Sequence, residues 1–392
     1  MPDPVASLHD RLAALARESG RRVAEPATAV DDWTARIESL RTAIRARERR
    51  QRVAADALPG EAVAPGVRLV RHVETGIPAP SRDWPWERPE ASRHGGPLIL
   101  LDTETTGLSG GTGTLVFLLG LARWCDEGLQ VDQWLLSAPS GECAWLEAID
   151  AAVPRDAVLV SFNGRAFDLP LLATRYRLGR RADPFAPLAH LDLLAPLRRA
   201  FAPRWPDCRL MTAEERLLGI TRVDDLPGAF APMAYQAFLR GQDAGALCAV
   251  LAHNRRDVIA LAHLLPALAR VYDDPPAFGA DGVAVSERLL RCGRADVAER
   301  VLRRTPHDEA ALALGRLLRR ARRWDEACAV LEPLAQREPG CPRALEALAK
   351  LHEHVRRDPA GAATLARRLV ELQPDEPRHR VRLQRLDRRL VT

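Results

Sequence analysis

Lysine is nearly absent: Lys350 is the one Lys among 57 basic residues, and asparagine occurs only at Asn163 and Asn254. Lys and Asn codons are AT-rich, so drift toward GC-rich codons explains both scarcities. The two surviving Asn then mark positions where the amide resists replacement. The seven Cys stand singly, at 125, 143, 208, 248, 292, 328 and 341, with no Cys-x-x-Cys pair. That spacing argues against a zinc knuckle or an iron–sulfur cluster and fits reduced thiols in a cytoplasm. No run of about 18 uncharged apolar residues occurs, and the first residues lack a signal-peptide pattern. A soluble, cytoplasmic protein without a membrane partner is therefore expected. No Gly-Lys-Ser/Thr follows Gly110, Gly111 and Gly113. This excludes a P-loop and leaves those glycines to let backbone or nucleic acid approach closely.

The 392 residues are 47% hydrophobic, enough for two or three domains with real cores. The net charge of +5 divides into +2 for residues 1–95, −4 for 96–280 and +7 for 281–392. An acidic centre beside a basic flank suits a protein that gathers cations and meets a polyanion, although an Arg-rich surface produces the same balance.

Residues 7–19 and 33–52 have helical spacing, so 1–58 is expected to be a helical or partly disordered segment. Pro and Gly break 59–95 into a linker with short strands, with a domain boundary near 95. PLILLDTE is an apolar run of buried-strand type ending on carboxylates. TLVFLLGLARW and LQVDQWLLSA form a hairpin around CDEG. A helix at 142–152, the strand AVLVSF, a helix from Asp168, the strand AHLDLL and several further helices follow, the last over about 242–270. That order predicts an α/β fold at 96–272, a ribonuclease H-like mixed sheet flanked by helices on both faces. From 281 to 392 helix follows helix, and Pro306, Pro339 and Pro374 are spaced 33 and 35 residues apart. This resembles tetratricopeptide repeats and predicts an α-helical repeat-like domain separable from the centre.

Asp102 and Glu104 lie two residues apart at a strand end, where period-2 geometry puts both on one face. Carboxylates that close repel unless a cation neutralises them. An oxygen-only cluster favours magnesium or manganese over zinc. Asp168 opens a helix after FNGRAF and is also suited to an N-cap. In the helix LCAVLAHNRRDVIALAHLL, Val250, Leu251, Asn254, Val258, Leu261 and Leu265 form an apolar face with Asp257 at its edge. His253, one turn before Asp257, is placed to take a proton from water.

LDTETTGL, FNGRAFD and HNRRD resemble the three motifs of the DEDD (DnaQ-like) exonuclease superfamily. SGGTG, HLDLL, DDLPG and APMAYQAFLRG narrow the resemblance to the YprB-type ribonuclease H-like family, with its repeat-like helical tail. The resemblance implies a 3′→5′ exonuclease that hydrolyses phosphodiester bonds with two divalent cations, Mg²⁺ or Mn²⁺. Asp102, Glu104, Asp168 and Asp257 would hold the cations, and His253 would deprotonate the attacking water. His-type enzymes of the superfamily place the base five residues before the last Asp, and Tyr-type enzymes place a Tyr four before it. Here a His stands at the Tyr spacing, and His263 and His190 are alternatives. Substrate contacts are expected from Thr105, Asn163, Arg165 and Arg256, with Arg255 nearby and Asp192 supporting the site from behind. DNA, in repair or strand processing, is the expected substrate. An RNA-processing ribonuclease and an inactive scaffold recruiting partners are the alternatives. With no helicase motif in the chain, a helicase or other protein partner is expected on the tail.

Overall fold

The computed structural model describes residues 36–46, 49, 56–88, 95–107, 112–223, 225–242 and 244–391. The expected helix at 7–19, the ends of that at 33–52, and Gly110 and Gly111 lie outside these residues. Two compact units are present, one of residues 60–232 and 249–392, the other of 1–59 and 233–248. In the second, residues 36–46 are helical and exposed.

The first unit is organised around a seven-stranded mixed sheet in the order β1-β2-β5-β4-β3-β6-β7. Its strands are β1 (Glu61–Ala64), β2 (Val67–Glu74), β3 (Leu98–Thr105), β4 (Val116–Cys125), β5 (Gly128–Leu136), β6 (Val158–Ser161) and β7 (Ala189–Asp192). Neighbours from β1 to β3 are antiparallel, and β6 and β7 continue parallel to β3. The central strand β3 is paired on both sides and covered on both faces, which is why its sequence is a continuous apolar run rather than an alternation. The β4–β5 hairpin closes through Asp126 and Glu127, with Cys125 opposite Gly128. Gly128 takes a φ of 143° there, and a Cβ would lie 2.3 Å from the Glu74 carbonyl oxygen.

Helices α1 (Glu142–Ala152) and α2 (Asp168–Leu178) pack on one face. Trp145 donates from Nε1 to the Trp134 carbonyl at 2.9 Å, and Arg175 pairs with Glu142 at 2.5 Å. Helices α3 (Leu194–Phe201), α4 (Ala231–Leu239) and α5 (Gly245–Asp273) follow. The predicted apolar face of α5 is buried, with Val250, Asn254 and Val258 at 0% exposure. That face lies on the sheet where Asp102, Gly120 and Gln133 stand in register across β3, β4 and β5. The Asn254 amide donates to the Asp102 backbone carbonyl at 3.2 Å and to Asp102 Oδ2 at 2.8 Å. Gln133 Nε2 donates to Asn254 Oδ1 and to the Leu251 carbonyl, both at 2.8 Å. A Cβ on Gly120 would lie 2.5 Å from Asn254 Oδ1 and 2.9 Å from Val258 Cγ2, so only glycine lets the amide reach the strand.

The structure redraws both predicted boundaries. Residues 59–95 are not merely a linker: β1 and β2 extend the sheet, β2 pairing with β5 from Val67–Leu136 to Glu74–Leu129. Their partner strand is about 60 residues away in sequence, so local Pro and Gly signals could not report it. Beyond β2, Trp84 and Trp86 are buried, and Trp86 meets Tyr272 edge-on at 5.3 Å. Residue 281 is not the end of the central core either. Helices α6 (Gly282–Arg291) and α7 (Ala295–Arg304) contribute Val285, Leu289, Ala298 and Val301 to the cluster that holds Trp84, Leu100 and Tyr272. Arg288 Nε and Cys292 Sγ both donate to the Trp86 carbonyl. A second core then joins α8 (Asp308–Arg320), α9 (Trp324–Gln336), α10 (Pro342–Leu351) and α11 (Pro359–Leu372), with α12 (Pro377–Val391) packed through Leu386. The helices from Gly282 onward therefore belong to the same compact unit as the sheet, with Leu302 of α7 also reaching into the second cluster.

Two outcomes follow. Gly120→Ala should lower unfolding free energy by about 1–3 kcal/mol, as overpacking a filled interior does, read from the urea midpoint at constant m-value. A chain ending at residue 280 should lose its cooperative thermal transition, whereas one ending at 306 should keep it. A cooperative transition in the shorter chain would show that α6 and α7 are dispensable.

Candidate active site

Three separated elements deliver the four carboxylates. Asp102 and Glu104 come from the end of β3, opposite Gly120 and Leu118 of β4. Thr103 points to the other face and donates from Oγ1 to Asp168 Oδ1 at 2.5 Å. Asp168 is the first residue of α2, and Phe167 occupies the N-cap position without a side-chain cap, so the N-cap reading of Asp168 gives way to a first-turn carboxylate. The turn that aims it is built by Asn163, which adopts a φ of 66°, a left-handed conformation that Asn tolerates better than most residues. At Gly164 a Cβ would come within 2.3 Å of Ser161 Oγ. Asp192 at the end of β7 clamps this turn, accepting from the backbone N–H groups of Asn163, Arg165 and Leu194 at 2.9–3.0 Å.

Asp257 and His253 come from α5, one turn apart. All four carboxylates, with His253, Thr105, Asn163, Phe162 and Phe167, line one cleft of about 200 Å³ closed on the far side by Gly228 and Pro232. Thr105 Oγ1 donates to the Gly107 carbonyl. Arg165 and Arg256 do not line this cleft. Arg165 Nη2 bonds the His190 carbonyl, and Arg256 pairs with Asp225 at 2.9 Å. Arg255 turns to His72 and Glu74 of β2. His190 is held by Ser161 at 2.8 Å, and burial pushes its pKa down to about 4. Neither His190 nor His263 lines the cleft.

The segment before α4 supplies three groups that sequence reasoning missed. Arg222, 7% exposed, lies 2.6 Å from Glu214, 2.8 Å from Asp225 and 2.6 Å from Asp257 Oδ1. The last is a close ion pair without hydrogen-bond alignment: Asp257 Oδ1 and Arg222 Nη2 are both buried without a hydrogen-bond partner. Asp225 Oδ2 lies 2.9 Å from His253 Nδ1. Burial opposes ionisation of Asp225, but Arg222 and His253 outweigh it and hold the carboxyl below its usual range. An ionised carboxylate can only accept, so Nδ1 is the donor in this contact, and in the neutral imidazole the lone pair is on Nε2. That Nε2 lies 3.7 Å from Asp257 Oδ2. The DDLPG stretch held the signal for Asp225, but its partner stands 28 residues later.

Burial, then mutual repulsion, sets the electrostatics. The Asp102 pKa is raised well above its usual value by burial, then by Asp257, Asp168 and Glu104. Glu104 is raised to about 8 by burial, then by Asp257, Asp168 and Asp225. Asp168 is raised to about 6 by burial, against the Thr103 hydrogen bond, and Asp257 is raised by burial against His253 and Arg222. Among the described residues no three His, Cys, Asp or Glu side chains are drawn into a ready-made cation cage. Asp168 is engaged by Thr103 and Asp257 by Arg222. The donor set nevertheless fits hard divalent cations: it is oxygen-only, buried and crowded, and burial and neighbouring carboxylates raise the pKa values of Asp102 and Glu104.

The fold is ribonuclease H-like, and residues 99–269 match the RNase H superfamily. Residues 308–351 match a tetratricopeptide repeat. The chain is 34% identical over 273 residues to the uncharacterized protein YprB of Bacillus subtilis (strain 168). That match covers 67% of this chain and 66% of the relative's length. Among solved structures, E. coli exonuclease I with a dT13 oligonucleotide is similar at 16% identity and a TM-score of 0.29, over 47% of this chain and 42% of that one. An SSB/exonuclease I structure with an inhibitor gives 15% identity and a TM-score of 0.29, over 47% and 43%.

Raised carboxyl pKa values fix a sign for stability. The folded chain binds more protons than the unfolded chain wherever pH lies between the two pKa values of such a group. For Glu104 the stability is complete below about 4.5 and is lost as pH rises through about 8. In chelator, the melting temperature should therefore fall across this window, and Glu104→Gln should flatten the fall. Added Mg²⁺ should restore the wild type at pH 8. A wild-type profile indistinguishable from Glu104→Gln would refute the assignment.

Proposed function

We propose that this protein is a divalent-cation-dependent nuclease that removes nucleotides from the 3′ end of DNA, in repair or strand processing. The observation that carries the reading is the convergence of Asp102, Glu104, Asp168 and Asp257 from β3, α2 and α5 on one cleft, beside a histidine oriented by Asp225. Those four carboxylates are the groups that would hold two Mg²⁺ or Mn²⁺ ions, whose chemistry is to neutralise charge on the phosphoryl oxygens and favour ionisation of water. The side chains do the rest. Asp225 holds the imidazole so that His253 Nε2 accepts the proton from the water that attacks phosphorus. The P–O3′ bond breaks, leaving a 3′-hydroxyl on the shortened strand and a nucleoside 5′-monophosphate. Thr105 and Asn163 line the same cleft, and in this reading they would meet the terminal nucleotide. The polarity and the preference for DNA rest on the motif resemblance. A helicase or other strand-opening partner on the repeat-like tail completes the proposal.

The test is digestion of 3′- and 5′-labelled single- and double-stranded DNA and RNA with Mg²⁺, Mn²⁺ or chelator. Shortening from the 3′ end is expected, abolished by chelator and by Asp102→Ala in a protein that still melts cooperatively. His253→Ala should lower turnover by about 10²–10⁴-fold, the usual contribution of a general base, with little change in cation affinity. His253→Tyr should keep more activity than His253→Ala. Full activity in chelator or in folded Asp102→Ala would overturn the reading. Degradation of RNA alone would move the substrate to RNA, and inactivity on every substrate would favour a recruiting scaffold.

A further inference from the structure

A second cavity, of about 340 Å³, adjoins the carboxylate cleft, and Asn163 lines both. Its size falls within the ~300–1,000 Å³ usual for small-ligand sites. Four guanidinium groups face it, those of Arg165, Arg198, Arg199 and Arg288, against the carboxylates of Glu87 and Asp192. The two acids balance only part of that charge. Asp192 is engaged by three backbone N–H groups, and Glu87 lies 3.6 Å from Arg288. Arg165 spends one N–H on the His190 carbonyl, and Arg288 is fixed on the Trp86 carbonyl at 2.7 Å. Among the described residues, Arg198 and Arg199 make no side-chain hydrogen bond or ion pair. Basic residues in the last turn of α3 could simply suit the helix dipole. Two such residues lining an open, basic cavity that shares Asn163 with the carboxylate cleft have a more specific use.

The walls of this cavity distinguish it from the shared ribonuclease H scaffold. Trp86 and Glu87 precede the matched domain, Tyr272 and Arg288 follow it, and the domain itself covers residues 99–269. The buried Trp86–Tyr272 contact and the two donors from α6 to the Trp86 carbonyl make that wall rigid. From this we infer that the cavity is a subsite for backbone phosphate of the substrate strand, one step past Asn163 from the carboxylates. This inference rests on the nuclease reading and gives the flanking segments a part in substrate binding. A phosphodiester at the carboxylates and the next phosphate at Arg198 and Arg199 would then share one strand, with Asn163 between them.

The full chain with Arg198→Ala and Arg199→Ala tests it, because both side chains leave no described partner behind. Binding of a fluorescent single-stranded oligonucleotide is measured by anisotropy in chelator over a range of salt, together with hydrolysis of the same oligonucleotide and of bis(p-nitrophenyl) phosphate. About tenfold weaker oligonucleotide binding is expected. The slope of log affinity against log salt should flatten by about 0.7, the contribution of one single-strand phosphate contact. The KM for the oligonucleotide should rise with kcat little changed, and hydrolysis of the small diester should match wild type. Arg198→Lys with Arg199→Lys should recover the salt slope. Unchanged affinity and slope in the alanine variant would overturn the subsite, as would displacement of the oligonucleotide by a free mononucleotide at equal concentration. Failure of the wild type to cleave either substrate would defeat the nuclease reading alone, and the anisotropy comparison would still decide the phosphate site.

Discussion

The Asn254 carboxamide is the constraint on which the rest of this architecture depends. Its oxygen accepts from Gln133 of β5, its nitrogen donates twice to Asp102 of β3, and it fits only because β4 carries Gly120 beneath it. An unpaired amide at that depth would cost on the order of 1–3 kcal/mol, so satisfaction of its hydrogen bonds sets both rotation and height of α5 on the sheet. With Asn254 fixed, Asp257 three residues later and His253 one residue earlier can face only the end of β3. The same amide holds the Asp102 carboxylate directly, so one buried side chain serves helix docking and catalytic geometry together.

The second requirement is to keep buried acids from driving the centre apart. Asp102, Glu104, Asp168 and Asp257 raise one another's pKa values, and the chain supplies one buried counter-cation, Arg222, on the Asp257 side. Its other contacts, Glu214 and Asp225, keep that guanidinium in place. Asp225 then links charge compensation to His253, because the carboxylate that meets Arg222 also orients the imidazole. Among the described residues, no Arg or Lys lines the cleft beside Asp102 and Asp168.

Around this centre, segments outside the matched domain are structural partners of the fold. The Trp86 carbonyl accepts from Arg288 and Cys292 while its ring meets Tyr272, so the stretch after β2, the end of α5 and the start of the tail share one core. The arginine-lined cavity is a product of that junction. The second core overlaps this junction, since Leu302 of α7 is one of its buried members.

What the sequence determined by itself was whatever is encoded within a few residues. The apolar run into Asp102 and Glu104, the Asn-Gly turn before Asp168, and the helical period placing Asn254 on the face of α5 are local regularities of strand, turn and helix. The scarcity of Asn singled out the two positions that the structure shows to be a left-handed turn and a buried bridge. Tertiary structure alone decided the pairings between distant residues: β2 on β5, Trp86 on α6, Asp225 on His253, and Arg222 on Asp257. It also turned Arg165, Arg255 and Arg256 away from the cleft where the motifs had suggested they would face substrate. Spacing along one helix or strand follows from backbone geometry, but the partner of a charge on a loop depends on where the remaining elements pack.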